Sequence, residues 1–195
     1  MTEVCIVEDD HAVAASLQAI LHSNDISSRV YETGEAFLSE CITADCVLMD
    51  VRLPGRDGLS TLETWRQSNS VTPAIVMTGH GDVRMAVKAF HAGAQDFVEK
   101  PFDAEELIER MKLAIDQSAE ALRCRDLLER LTPREFDVLK QVVAGHPNKI
   151  IAYNLGISQK TVELHRARVM EKTGAQSLSH LVRLAMKAQI GLEDD

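Results

Sequence analysis

Short apolar runs alternate with amphipathic stretches along the first part of the chain. Val4–Val7 precedes His11–His22, Arg29–Tyr31 precedes Glu35–Cys41, Cys46–Met49 precedes Leu59–Gln67, Ala74–Met77 precedes Val83–His91, and Phe97–Val98 precedes the stretch from Ala104 onward. Near-continuous apolar strands separated by helices predict a parallel sheet covered on both faces, because right-handed crossovers lay helices over both sides. The expected class is a doubly wound α/β domain of (βα)5 pattern. Its punctuation agrees: Pro54-Gly55 and Gly58 bracket one loop, Gly79 and Gly81 flank another, and Asp103-Ala104-Glu105-Glu106 has the form of a capping box opening the fifth helix. Apolar positions at Leu107, Ile108, Met111, Ile115, Ala119 and Leu122 carry the helical period on, predicting a largely helical linker through about residue 128.

Beyond it the pattern is helical throughout. Thr132-Pro133-Arg134-Glu135 supplies a Thr cap, a proline at the first helical position and a Glu at the third, predicting a helix to Ala144 that Gly145 stops. Asn148–Leu155 reads as a short helix ended by Gly156, and Ser158 caps a longer one running to about Thr173. A last helix, roughly Ser177–Ala188, closes an all-α four-helix unit in which two helices meet at a tight glycine turn, the helix-turn-helix signature. The boundaries expected are 1–118 for the α/β domain, 119–129 for the linker and 130–195 for the helix-turn-helix domain.

Charge sharpens this division. The net charge is −9, but residues 1–118 hold 9 Lys and Arg against 20 Asp and Glu, whereas residues 119–195 hold 12 against 10. A phosphate backbone responds to local fields, so only the second part is expected to meet DNA. No run approaches a membrane span, and the N-terminus lacks the basic and long apolar segments of a signal peptide, so the expected compartment is the cytoplasm, without membrane contact. Cys5, Cys41, Cys46 and Cys124 show no metal-ligand spacing and are read as reduced packing residues.

In a doubly wound sheet the ligand site lies beyond the carboxyl ends of the strands. Those ends are polar: Glu8-Asp9-Asp10 after the first, Asp50 after the third, Thr78 after the fourth and Lys100 after the fifth. In a flavodoxin-like strand order 2-1-3-4-5 the first and third strands are neighbours and their carboxylates converge. Clustered carboxylates repel, and a hard divalent cation such as Mg²⁺, which takes oxygen ligands and retains room for a phosphoryl group, is the economical counter-charge.

These residues resemble the receiver domain of two-component response regulators over about residues 1–120. The resemblance implies Mg²⁺ bound by Glu8, Asp9, Asp50 and the backbone carbonyl of Arg52. It further implies Asp50 as phosphoacceptor from a sensor histidine kinase, Thr78 as switch hydroxyl, Phe97 as switch aromatic, and Lys100 as the lysine before a proline, in a cis peptide. Arg52 and His80 would flank the phosphoryl site. Leu131–Leu192 resembles the helix-turn-helix domain of the LuxR/NarL group, in its FixJ branch. The matches are the Leu-Thr-Pro-Arg-Glu opening, Pro147-Asn148-Lys149-Ile150-Ile151-Ala152 and Thr161-Val162-Glu163-Leu164-His165-Arg166, while Thr78-Gly79-His80-Gly81-Asp82-Val83 points to the same branch. The function implied is that of a phosphorylation-dependent regulator, not an enzyme in its own right, which pairs as a homodimer and meets promoter DNA and RNA polymerase. Two alternatives stay open: an aspartyl phosphatase, which would need a second acid where Arg52 stands, and a receiver with a protein-binding tail.

At about 100° per residue, Val162, Val169 and Thr173 fall on one stripe of the second helix of the motif, with His165 and Arg166 on its margins. That leaves Lys160, Glu163, Leu164 and Ala167 to face the major groove, flanked by Thr161 and Arg168. Glu163 would either accept from cytosine N4 or pair with Arg166 or Arg168 on the helix surface. Lys149, Arg166, Arg168 and Lys172 are expected phosphate contacts.

Overall fold

A computed structural model of the chain describes residues 2–40, 43–69, 71–79 and 81–188. The chain divides into two compact units, Met1–Ser118 and Ala119–Asp195.

The first unit holds five parallel strands, β1 (Glu3–Val7), β2 (Ser27–Tyr31), β3 (Cys46–Asp50), β4 (Ala74–Thr78) and β5 (Asp96–Glu99), in the order β2-β1-β3-β4-β5. Helices α1 (His11–Ser23), α2 (Gly34–Ser39), α3 (Gly58–Arg66), α4 (Val83–His91) and α5 (Ala104–Glu129) follow the strands in turn. The order is the flavodoxin-like one. β3 and β4 are buried at every position, as central parallel strands require. Successive side chains alternate between two layers. Cys5, Val7, Val47, Met49 and Val76 meet Phe37, Leu62, Trp65 and Ala89 of α2, α3 and α4. Val4, Ile6, Leu48, Ile75 and Met77 meet Leu17 and Leu21 of α1 and Leu107, Ile108 and Met111 of α5 on the other face.

Gly58, which the sequence pattern sets at the edge of the loop, is the first residue of α3, because Asp57 accepts from the Ser60 N–H at 3.0 Å and caps the helix. A Cβ there would run into the backbone carbonyl oxygen of Asp50, so glycine allows α3 to start directly against the end of β3. At α5, Asp103 Oδ1 accepts from the N–H groups of Glu105 and Glu106 at 2.9 and 3.1 Å. Residues 119–129 form the later part of α5, and Cys124 and Leu128 lie in the core of the second unit. The Cys41 and His80 readings fall outside the described residues, as does the segment beyond residue 188.

The second unit adds α6 (Pro133–Val143), α7 (Asn148–Leu155), α8 (Gln159–Thr173) and α9 (Leu178–Lys187). Thr132 and Glu135 complete a reciprocal capping box, with Glu135 Oε2 2.8 Å from the Thr132 N–H. Gly156 and Gly174 close α7 and α8 at φ of 66° and 67°, left-handed positions that disfavour other residues. Val138, Leu139, Ile151, Val162, Val169 and Leu181 form the centre of the unit.

Candidate functional site

The parallel register brings the carboxyl ends of β1, β3, β4 and β5 to one rim. Glu8 follows β1 and is 3% exposed, while Asp50 and Thr78 are the last residues of β3 and β4, at 5% and 2%. Thr78 pairs across the sheet with Glu99, which places Lys100 immediately beyond β5. Carboxylate oxygens of Glu8, Asp9 and Asp50 lie within 4.8 Å of one another. Asp10, the third acid of the strand end, points elsewhere: its Oδ1 accepts from the Ala12 and Val13 N–H groups at 2.8 and 3.2 Å and caps α1. The Val13 and Ala12 amides hold the Asp10 carboxyl below its ordinary range.

Lys100 enters this cluster from the far side of β4. Its Nζ donates to Asp50 Oδ1 and to Glu8 Oε2, both at 2.6 Å. Asp50 Oδ2 accepts from the Arg52 N–H at 2.6 Å, so both oxygens of the carboxylate are fixed. Burial pushes the Glu8 carboxyl above its usual range, and the Lys100 ammonium recovers only part of that. Burial works against the Lys100 charge as well, but the Asp50 and Glu8 carboxylates outweigh it and its pKa rises. The Lys100-Pro101 peptide is cis. Phe97, on β5, is half-buried against the layer of α2, α3 and α4. The Arg52 side chain is exposed.

This geometry decides what the rim can do. Asp50 is buried enough to be shielded, held by two donors, and beside a fixed cation, which suits a nucleophile whose product carries extra negative charge. Three acids against one lysine leave the cluster short of positive charge. A hard cation with oxygen preference fits that donor set.

In the second unit α8 buries Val162, Val169 and Thr173. Lys160, Glu163, Leu164, Ala167 and Arg168 are exposed on the other side, with Leu164 half in solvent at 50%. Thr161, His165 and Arg166 are half-buried at the edges, and the Thr161 hydroxyl is shared with Ser158 Oγ at 2.8 Å. Among the described residues Glu163 has no ion pair, so neither helix-surface partner considered for it is engaged. Lys149 on α7 is exposed.

Lys172 has a partner that the sequence reading does not include. Its ammonium lies 2.6 Å from Glu135 Oε2, a carboxylate 2% exposed on α6, so an ion pair within the unit engages it. The Lys172 ammonium, with the Thr132 N–H, holds the Glu135 carboxyl down to about 2. Sequence reasoning also passed over Asn148, whose Oδ1 accepts from Arg166 Nη1 at 2.7 Å. Glu135 was visible as half of a capping box; the Arg166 contact, 18 positions away, left no sequence signal.

Comparison with known proteins closes the identification. Residues 4–112 match the response regulator receiver domain and residues 129–185 match the LuxR family of bacterial regulatory proteins. The chain belongs to the response regulators that join a receiver to a LuxR-type DNA-binding domain. It is 43% identical to the transcriptional regulatory protein FixJ of Rhizobium meliloti, over 96% of this chain and 97% of that one. It is 40% identical to FixJ of Bradyrhizobium diazoefficiens, over 95% of each. Full-length FixJ from B. japonicum superposes with a TM-score of 0.58 at 38% identity, covering 97% of this chain and 98% of that one. The chain is thus a FixJ-like response regulator of transcription, acting through a kinase phosphodonor and promoter DNA. Among the described residues no helix is long and apolar enough to cross a membrane.

Proposed function

We propose that Asp50 is the phosphorylated residue and that Glu8, Asp9 and Asp50, with the Arg52 backbone carbonyl, hold Mg²⁺ beside it. The observation that carries this reading is the double contact of Lys100 Nζ with Asp50 and Glu8. When bound, Mg²⁺ supplies positive charge opposite the phosphoryl oxygens. An Asp50 carboxylate oxygen attacks the phosphorus of a phosphohistidine; the P–N bond breaks, the imidazole takes the electron pair, and an acyl phosphate remains on Asp50. Lys100 stays next to the new dianion and neutralises part of it. The Thr78 hydroxyl at the end of β4 donates to a phosphoryl oxygen, and Phe97 turns inward as Thr78 moves.

Receiver pairing is the step that follows. α4 presents Val83, Val87 and Phe90 to solvent at 81%, 49% and 52% exposure, an apolar strip that supports pairing of two phosphorylated receivers through α4 and β5. A dimer sets two α8 helices on two half-sites, where Lys160, Glu163, Leu164 and Ala167 read base edges, flanked by Thr161 and Arg168, with Lys149 and Arg166 on phosphates. Glu163, without an ion pair among the described residues, accepts from cytosine N4. RNA polymerase is the partner at the promoter.

The test is direct. Acetyl phosphate should add one phosphoryl group to the native chain and none to Asp50→Asn, and phosphorylation should raise both the sedimenting mass and the affinity for a selected duplex. Labelling that persists in Asp50→Asn would refute the assignment.

A further inference from the structure

The basic residues of the helical unit differ in what holds them. Lys172 is neutralised by Glu135 at 2.6 Å, Lys187 by Glu120 at 2.6 Å, and Arg134 faces Asp137 at 3.5 Å. Arg166 is held as closely, at 2.7 Å, but by the neutral side-chain carbonyl of Asn148. A carboxylate in that place would fix the guanidinium and cancel its charge together. An amide oxygen fixes it and leaves the full positive charge.

Position adds to this. Arg166 and Asn148 are both half-buried, so their contact is only partly open to competing water. Asn148 is the first residue of α7 and Arg166 lies in the middle of α8, so the bond bridges the two helices of the motif next to exposed Lys149. A guanidinium has five N–H donors, and one of its nitrogens is engaged by Asn148, leaving donors for a planar acceptor such as a phosphate. An arginine tethered in this way gives up little rotamer entropy when DNA arrives.

We infer that Asn148 is a positioning residue for DNA binding: it orients the Arg166 guanidinium toward a backbone phosphate without neutralising it. This deepens the proposed phosphate contact of Arg166 and rests on it.

The test uses the full chain and a fluorescein-labelled random-sequence duplex of about 30 base pairs, since backbone contacts dominate non-specific binding. Anisotropy titrations across a NaCl series give an affinity and a salt slope. Arg166→Ala should weaken binding roughly tenfold and reduce the slope by about 0.9, the value for one phosphate contact. Asn148→Ala should fall between native and Arg166→Ala in both measures, and in an Arg166→Ala background should change neither. Asn148→Asp should retain the thermal stability of the native unit yet bind at least as weakly as Asn148→Ala, because its carboxylate holds the arginine and cancels it. That split between stability and affinity separates positioning from packing, and keeps the test usable should the alanine variant lose structure. An unchanged slope in Arg166→Ala would remove the phosphate contact itself. A normal slope and affinity in Asn148→Ala or Asn148→Asp, with Arg166→Ala impaired, would overturn the role of Asn148 alone, as would effects of Asn148→Ala and Arg166→Ala that simply add.

Discussion

Replacing Lys100 with methionine removes the ammonium that contacts both the Asp50 and the Glu8 carboxylates while preserving most of its apolar stem. Lys100 Nζ sits 2.6 Å from one oxygen of each acid. At an effective dielectric of about 20, each contact is worth roughly 6 kcal/mol of attraction, and carboxylates within 4.8 Å of one another repel by at least roughly 3.5 kcal/mol. Much of the attraction only offsets the cost of drying these charges, and removing one partner of a buried pair costs about 3–5 kcal/mol. Partial exposure of the lysine side chain, 19%, places the expected loss at the lower end, about 3 kcal/mol. The chain has one tryptophan, Trp65 on α3, which is 7% exposed and has its ring centroid 5.3 Å from that of Phe37, the two planes tilted by 60°, so its fluorescence follows unfolding of the receiver alone. With a urea dependence of about 2 kcal/mol per molar, Lys100→Met should lower the midpoint by about 1.5 M. Lys100→Met combined with Asp50→Asn should recover a large part of that, because one of the stranded charges is gone. A midpoint for Lys100→Met indistinguishable from native, or a double variant no better than the single one, would refute the charge argument.

Gly58→Ala should lower the same midpoint by about 1–3 kcal/mol equivalent and slow acetyl phosphate labelling, since the new methyl displaces the Asp50 carbonyl; normal labelling would show that α3 yields instead. Lys172→Met should lower the melting temperature of the helical unit and leave the salt slope of DNA binding unchanged, whereas Lys149→Met should cut the slope by about 0.9 with melting unaffected, each read by circular dichroism and anisotropy. The Glu135 carboxyl, held down to about 2, contributes stability that is complete above the ordinary carboxylate value of about 4.3 and is lost as pH falls toward 2. Glu135→Gln should therefore flatten the acid dependence of helical-unit melting between those values; an unchanged acid profile would detach Glu135 from it.

Much of this molecule was legible because its chemistry sits at the ends of periodic segments. The alternation of buried strands with helices named the sheet, and the polar residue after each strand located Glu8, Asp50, Thr78 and Lys100 before any packing was known. The helical stripe of α8 likewise separated Val162, Val169 and Thr173 from the exposed face. What escaped were contacts between side chains distant in sequence. A helical wheel places Lys172 near the surface, but it cannot see Glu135 waiting on another helix 37 positions earlier. Asn148 reads as an unremarkable first residue of a helix until Arg166 reaches it. Spacing alone does not separate Asp10 from Glu8 and Asp9, which only the family resemblance sets apart, because whether a carboxylate turns toward a helix terminus or a pocket depends on backbone direction that sequence spacing does not encode.

Cys46 in β3 and Cys124 in α5 each lie in the core of a different unit, and both are free thiols. Burial pushes the Cys46 thiol up to about 12 and raises that of Cys124 as well. Since alkylating reagents attack the thiolate, each sulfur is inert until the structure around it opens. With Cys5 of β1, also a buried free thiol, the described residues thus hold two internal clocks in the first unit and one in the second. Peptide mapping after timed alkylation would tell which half loosens first under heat or urea, and whether phosphorylation slows the clocks of one unit while leaving that of the other running.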